Sequence, residues 1–308
     1  MQLPIQNPPF IRRGESVATM MNDTLLALAL LLPLPTVYYG SHVLQIAFVS
    51  VAACFLSEIA ACLLAKRQID ISELSTVVTG LVIAMLMPPN APLWLPAAAG
   101  MFAVLVARAP FGFTGNNPFN PAAAGVAFVT VFFPVALFSY PNPSPAAALK
   151  VGLKPEIIPS EMLWGTIGGP IGATAALVVA ACAVYLVVKR AANWRVMLFF
   201  LLAAALFALL FPRIMVSPMT SLKYELLSGS LLFCAVFMMT DPVTGTRTEL
   251  GSMLYGALGG VLLMLMRRYG SFEQAACFTV LMMNALAPVI DSAVFALKAG
   301  REQRAEQE

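Results

Sequence analysis

Four features of this chain place groups able to do chemistry inside apolar sequence. Glu58 sits in Cys54-Phe-Leu-Ser-Glu-Ile-Ala-Ala-Cys62, and Asp291 follows Pro288-Val-Ile. Asp241 closes one apolar stretch and opens Asp241-Pro-Val-Thr-Gly-Thr-Arg247. A carboxylate at membrane depth is costly, and its usual roles are cation binding, proton relay or pairing with a neighbouring helix. Glu58, Asp241 and Asp291 are therefore the candidate ion pathway. No arginine partner for Glu58 is evident at its depth, and Asp241 also has the simpler reading of a turn former beside proline. The fourth feature is the loop Gly112-Phe-Thr-Gly-Asn-Asn-Pro-Phe-Asn-Pro-Ala122. Asn117 and Asn120 offer donors and acceptors to the edge of a heterocycle, and Phe119 a face on which to stack it. The alternative is a rigid interhelical turn in which an asparagine caps the next helix.

Other chemistries find no residues. The single histidine, His42, falls in a short turn between apolar segments and cannot serve a hydrolytic triad. The five cysteines (Cys54, Cys62, Cys182, Cys234 and Cys277) lie in apolar runs without a CxxC pair. They read as small buried hydrophobes, and neither an iron–sulfur cluster nor a metal-ligand set is expected within this chain. No phosphate-cradling loop of the P-loop type occurs.

The elements that must position these groups are set by composition. The chain has 308 residues, 60% hydrophobic and 11% charged, with mean hydropathy +0.84. Soluble domains carry about 25% charged residues, so this is an integral membrane protein. A formal net charge of +3 gives no footprint for nucleic acid. Met1–Asn22 holds several prolines and arginines without the apolar core of a signal peptide, and is expected to stay as a cytoplasmic lead-in.

Apolar runs bounded by charges or Pro/Gly clusters give ten segments, near 23–39, 43–65, 74–88, 92–108, 119–139, 165–188, 196–212, 225–240, 250–266 and 274–297. Two are too short for the ~20 residues of a membrane-crossing helix. One contains Gly80-Leu-Val-Ile-Ala-Met-Leu-Met-Pro-Pro89, the other Gly229-Ser-Leu-Leu-Phe-Cys-Ala-Val-Phe-Met-Met-Thr-Asp-Pro242. They hold corresponding positions in the two halves, and paired broken helices point to a central binding site. Glu73 precedes the first and Glu225 opens the second. Each is followed by a Gly- and Ala-rich span ending in arginine, at Arg108 and Arg267-Arg268.

The expected fold is all-α, with about ten transmembrane segments in two inverted five-span repeats. Residues 1–139 form the first repeat, 140–164 an irregular extracytoplasmic linker, and 165–308 the second. Lys and Arg divide twelve to six between alternate loops, which places both termini in the cytoplasm.

The segments Gly115-Asn-Asn-Pro-Phe-Asn-Pro-Ala122, Phe237-Met-Met-Thr-Asp-Pro-Val-Thr244 and Leu281-Met-Met-Asn-Ala-Leu-Ala-Pro-Val-Ile-Asp291 resemble the signatures of one membrane family, the NqrB/RnfD family. Its members are membrane components of the Rnf electron-transport complex and of the sodium-translocating NADH:quinone reductase. Pro8-Pro-Phe-Ile-Arg-Arg13 and Leu56-Ser-Glu-Ile-Ala60 resemble the Rnf member. The likeness covers nearly the whole chain.

The resemblance implies a ten-span inverted-repeat fold shared with urea transporters. It also implies a flavin (FMN or riboflavin), electron transfer coupled to Na+ or H+ movement, and partner subunits of a redox complex in the cell membrane. Asn117, Phe119, Asn120, Thr240 and Asp241 would contact the flavin. Family members typically carry FMN esterified to a threonine after the fifth span. Here that region reads Asn142-Pro-Ser-Pro-Ala-Ala-Ala-Leu149, and Ala147 cannot form the ester. The one Gly-Ala-Thr triplet, Gly172-Ala-Thr174, is either a displaced acceptor at Thr174 or a small-residue packing face inside the sixth segment. The alternative function on the same fold is a channel or permease for a small solute.

Overall fold

A computed structural model of the chain describes residues 17–66, 74–112, 117–214, 216–270 and 275–305. Glu73, the Pro8–Arg13 segment and most of the expected lead-in lie outside the described residues. The first helix begins at Val17, six residues before the expected segment, because nothing in Val17-Ala-Thr-Met-Met-Asn22 breaks a helix.

Every regular element among the described residues is helical. Helices α1 (Val17–Leu31) and α2 (Pro33–Tyr39) are followed by α3 (His42–Leu64), α4 (Ser75–Met85), and α5 (Trp94–Leu105) with its 3-10 extension Ala109–Phe111. Helix α6 (Pro121–Phe132) runs into the short α7 (Pro134–Leu137). After α8 (Pro145–Lys150) and α9 (Pro159–Trp164) come α10 (Ala176–Val188), α11 (Trp194–Leu210) and α12 (Pro218–Leu227). The short α13 (Leu231–Phe233) continues as a π-helical turn, Cys234–Met238, before α14 (Glu249–Tyr269) and α15 (Ala276–Ala305).

Five of these stretches are long and apolar enough to cross a bilayer: Ala18–Tyr39, His42–Leu64, Trp94–Phe111, Glu249–Tyr269 and Ala276–Ala299. Helices α4, α6, α10 and α11 are shorter and apolar, and α12 with α13 makes a pair bent by 63°. Large side chains such as Phe48, Leu64, Val135 and Val188 stand three-quarters exposed or close to it, the surface expected against lipid. The chain is a multi-pass, all-α membrane protein.

The two short elements are interrupted for local reasons. Helix α4 has 11 residues, about 17 Å at 1.5 Å per residue, roughly half the hydrocarbon thickness. It stops before Pro88-Pro89, because proline disfavours helical backbone in the residue before it. Helix α12 breaks at Gly229, whose φ of 58° lies in the left-handed region that glycine tolerates best.

Packing follows the same plan in both halves. Helix α3 packs on α4 and α5, and α5 on α6; α11 packs on α12 and α14, and α14 on α15. The halves meet through α1 against α10 and α6 against α15. The α11–α14 approach requires glycine: a Cβ at Gly256 would sit 2.4 Å from the Val196 carbonyl oxygen, and one at Gly260 2.3 Å from that of Phe200.

The expected irregular linker is partly folded. Ser144 caps α8 by accepting from the Ala147 amide at 3.3 Å, and Pro145 and Pro159 occupy the first turns of α8 and α9, where proline costs no hydrogen bond. Leu149 and Met162 then join Ile167, Ile214 and Tyr224 in a small core of their own.

Gly256→Leu is expected to drive α11 and α14 apart and cost about 1–3 kcal/mol, the usual penalty for overpacking. Thermal melting of the purified protein in detergent checks this; an unchanged melting temperature would mean the two helices do not touch there.

Candidate functional site

The two interrupted elements end inside protein, so their backbone groups need partners. Two carbonyls at the end of α4 receive them from an unexpected place. The amides of Ile171 and Gly172 donate to the Met87 and Met85 carbonyls at 2.9 and 2.7 Å. Residues 165–175 are therefore non-helical, and the Gly172-Ala-Thr174 triplet lies in this strap rather than in the interior of a helix. A Cβ at Gly172 would meet the Met85 side chain at 2.5 Å, so glycine lets the strap lie against the helix end. Thr174 is 2% exposed, with its hydroxyl on the Ile171 carbonyl.

On the other side, the π-helical turn carries Thr240 and Asp241 to the centre. Thr240 turns its hydroxyl onto the Val236 carbonyl. Asp241 accepts from the Val243 amide at 3.1 Å, the Thr244 hydroxyl at 3.2 Å and the Asn120 side-chain amide at 3.2 Å. Asn120 caps α6 by accepting from the Ala123 amide at 3.1 Å. Its own backbone amide donates to the Asn284 side chain at 2.9 Å. Asn284 also donates to the Tyr255 hydroxyl at 3.0 Å and the Thr244 carbonyl at 3.4 Å. One hydrogen-bonded web thus joins the Asn117–Asn120 loop, the Asp241 turn, α14 and α15.

Two cavities flank this web. The smaller, about 60 Å³, is lined by Thr79, Asn117, Asn120, Phe237, Thr240 and Asp241 among others. The larger is a groove of about 700 Å³ lined by Phe119, Arg247, Asn284, Asp291 and Phe295 among others. Asn117, Val243 and Thr244 line both. The expected residues Asn117, Phe119, Asn120, Thr240 and Asp241 are brought together here. Thr174 and Glu58 line neither cavity.

Asp291 borders the groove, but its oxygens are engaged. They accept from the Arg247 amide at 2.9 Å, the Thr248 amide at 3.2 Å and the Thr248 hydroxyl at 2.8 Å. Thr248 is the N-cap of α14, so Asp291 holds the start of that helix.

Glu58 has the arginine partner that the sequence did not reveal. Arg108 reaches it at 3.3 Å, fully buried, and also donates to Thr76 at 2.6 Å; the Thr76 hydroxyl in turn donates to Glu58. Arg108 counts as a loop residue in sequence, but the chain turns inward after α5 and carries its side chain onto the start of α4. Its counterpart in the last turn of α14 behaves alike. Arg267 donates to the Glu225 and Ser228 carbonyls at 2.9 and 2.8 Å, where α12 breaks. Arg213 forks onto the Glu225 carboxylate. Each interrupted element is thus held by the buried arginine that ends the following span.

The model of the NQR2, RnfD, RnfE family matches residues 4–300. The chain belongs to this family. It is similar to the D subunit of the Na(+)-translocating ferredoxin:NAD(+) oxidoreductase complex of Acetobacterium woodii, 29% identical over 304 residues that cover 94% of this chain and 93% of the relative. It is 30% identical to the D subunit of the ion-translocating oxidoreductase complex of Ectopseudomonas mendocina over 325 residues, 94% of each chain. The D subunit of the proton-translocating ferredoxin:NAD(+) oxidoreductase complex of Clostridium ljungdahlii is 27% identical over 316 residues, 96% of each.

Within this family member, sequence reasoning missed Arg108, Arg213, Tyr255 and Asn284. A signal existed for two of them. Arg108 ends a Gly- and Ala-rich span as Arg267 does, and Asn284 stands four residues before a proline, Pro288, as Asn117 does before Pro121.

Arg108→Ala is expected to strand the Glu58 carboxylate and cost about 3–5 kcal/mol, whereas Arg108→Met with Glu58→Gln recovers most of that loss. Melting of the three proteins side by side in detergent checks the order; equal loss in the single and double variants would contradict the pairing.

Proposed function

We propose that this chain is the membrane subunit of an Rnf-type ion-translocating oxidoreductase, holding a flavin and relaying electrons between partner subunits as Na+ or H+ moves. The relatives' names support the complex, and family membership over residues 4–300 supports the class. The remaining membrane and peripheral subunits of such a complex are its partners. The chain has about ten transmembrane segments in two inverted five-span repeats with paired short broken helices, residues 1–139 and 165–308, in the cytoplasmic membrane with both termini in the cytoplasm. The matching packing of α3–α6 and α11–α15 and the two arginines at equivalent span ends support that topology.

The observation that carries the flavin assignment is the groove beside the Asn117–Asn120 loop. Its volume of about 700 Å³ falls within the range of about 300–1,000 Å³ usual for organic ligands. Phe119 and Phe295 supply aromatic faces, and the amides of Asn117 and Asn284 line its wall. A flavin there supplies one- and two-electron chemistry, while this chain's residues bind it and set its electrostatics. Asp241, in the adjoining small cavity, is the group best placed for the coupled ion. Glu58 and Asp291, both engaged by neighbours, support the walls of that path. With Ala147 at the usual acceptor place and Thr174 buried in the strap, the flavin is held without a covalent bond.

The complex, purified with its native partners and then denatured, is expected to show no ultraviolet-fluorescent band at the 32.8 kDa of this chain. Phe119→Ala combined with Phe295→Ala is expected to lower the flavin released by about one equivalent per complex. Unchanged flavin content in that variant would remove the groove assignment. A fluorescent band abolished by Thr174→Val would restore a covalent flavin.

A further inference from the structure

Asn117 is 8% exposed, and its side-chain carbonyl oxygen has no hydrogen-bond partner among the described residues. A buried acceptor left unmade costs about 1–3 kcal/mol, and such groups call for an explanation, often an absent ion or ligand. Asn117 is one of the residues that line both the small cavity and the groove.

The two sides offer it different partners. In the small cavity Asp241 offers a carboxyl group, which when ionised has about four acceptor sites. Three are taken by Val243, Thr244 and Asn120. The remaining one, with the Asn117 oxygen and the Thr240 hydroxyl oxygen, makes a neutral-plus-one-charge oxygen set suited to a hard monovalent cation. A space of about 60 Å³ admits such an ion with little water. In the groove, by contrast, the same carbonyl oxygen would accept only from an N–H of the bound heterocycle.

We propose that Asn117 couples the two sites by sharing this single acceptor between them: a cation in the small cavity and an N–H donor in the groove compete for it. A flavin has more ring N–H donors reduced than oxidised. Asn117 therefore binds the cation better beside oxidised flavin, and the cation must in return favour the oxidised form, because linkage is reciprocal. This proposal rests on the flavin reading above and adds the residue through which the ion is sensed.

The test is a redox titration of flavin in the intact purified complex, in NaCl or in choline chloride of equal ionic strength. A tenfold difference in Na+ affinity between redox states moves a two-electron couple by about 30 mV. The expected result is one flavin whose potential falls by this order in NaCl, with the Na+ dependence lost for the flavin that Asn117→Ala retains. Asn117→Leu, which keeps the side chain's shape without an acceptor, serves if the alanine variant does not assemble or loses its flavin. A rise in potential, no dependence on Na+, or a shift retained in either variant overturns the coupling but leaves the flavin reading standing. Absence of the flavin assigned to this chain would remove both.

Discussion

The fold depends on satisfying backbone polar groups at helix ends that stop inside the protein. Lipid offers no hydrogen bonds, so interrupted helices survive at membrane depth only where protein or a wet cavity completes them. The chain uses two devices. The strap 165–175 presents the Ile171 and Gly172 amides to the last carbonyls of α4. Arg267 caps the break after α12 with its guanidinium, reaching carbonyls of both Glu225 and Ser228. Neither device is local in sequence, and both join the interrupted element to a different span.

The buried ion clusters extend the same requirement to side chains. Taking a charge out of water costs several kcal/mol, which only close pairing and further hydrogen bonds offset. Arg108 meets Glu58 and Thr76; Arg267 and Arg213 meet Glu225. These pairs are weak contributors to net stability in general, and their value here is placement. They fix where α4 and α12 begin or break, and hence where the loops beyond α4 and the π-helical turn deliver their polar residues.

Much of this was legible from composition and interruption. Pro88-Pro89 and the Gly229 to Pro242 stretch mark the broken elements without any structure, since a proline pair and a left-handed glycine are local causes. The grouping of Asn120 with Asp241 comes from the family resemblance alone, since spacing favours a simple capping turn for Asn120. The Arg108–Glu58 pair was not legible. Its members are 50 positions apart in number, and loop counting assigns Arg108 to solvent. The strap Gly165-Thr-Ile-Gly-Gly-Pro-Ile-Gly-Ala-Thr174 reads in sequence as the start of a span, although Gly168-Gly169-Pro170 is a local helix breaker; what the sequence did not reveal is its hydrogen bonding to Met85 and Met87. The linker's order was missed because its small core draws on Ile214 and Tyr224 from distant sequence.

The joints between the halves limit how the molecule can move. Many transporters alternate by swinging one repeat as a body past the other. Here α1 is packed on α10 and α6 on α15, Asn284 ties the Asn120 loop to the Thr244 turn, and Tyr39 of the first half donates to the Ile167 carbonyl of the strap at 2.8 Å. A swing would break all of these at once. A smaller change is compatible with these joints: the five-residue π-helical turn Cys234–Met238 is of a kind frequent at functional sites and differs from ordinary α-helix by its hydrogen-bond register. A shift of that register would rotate Phe237, Thr240 and Asp241 together inside a fixed frame.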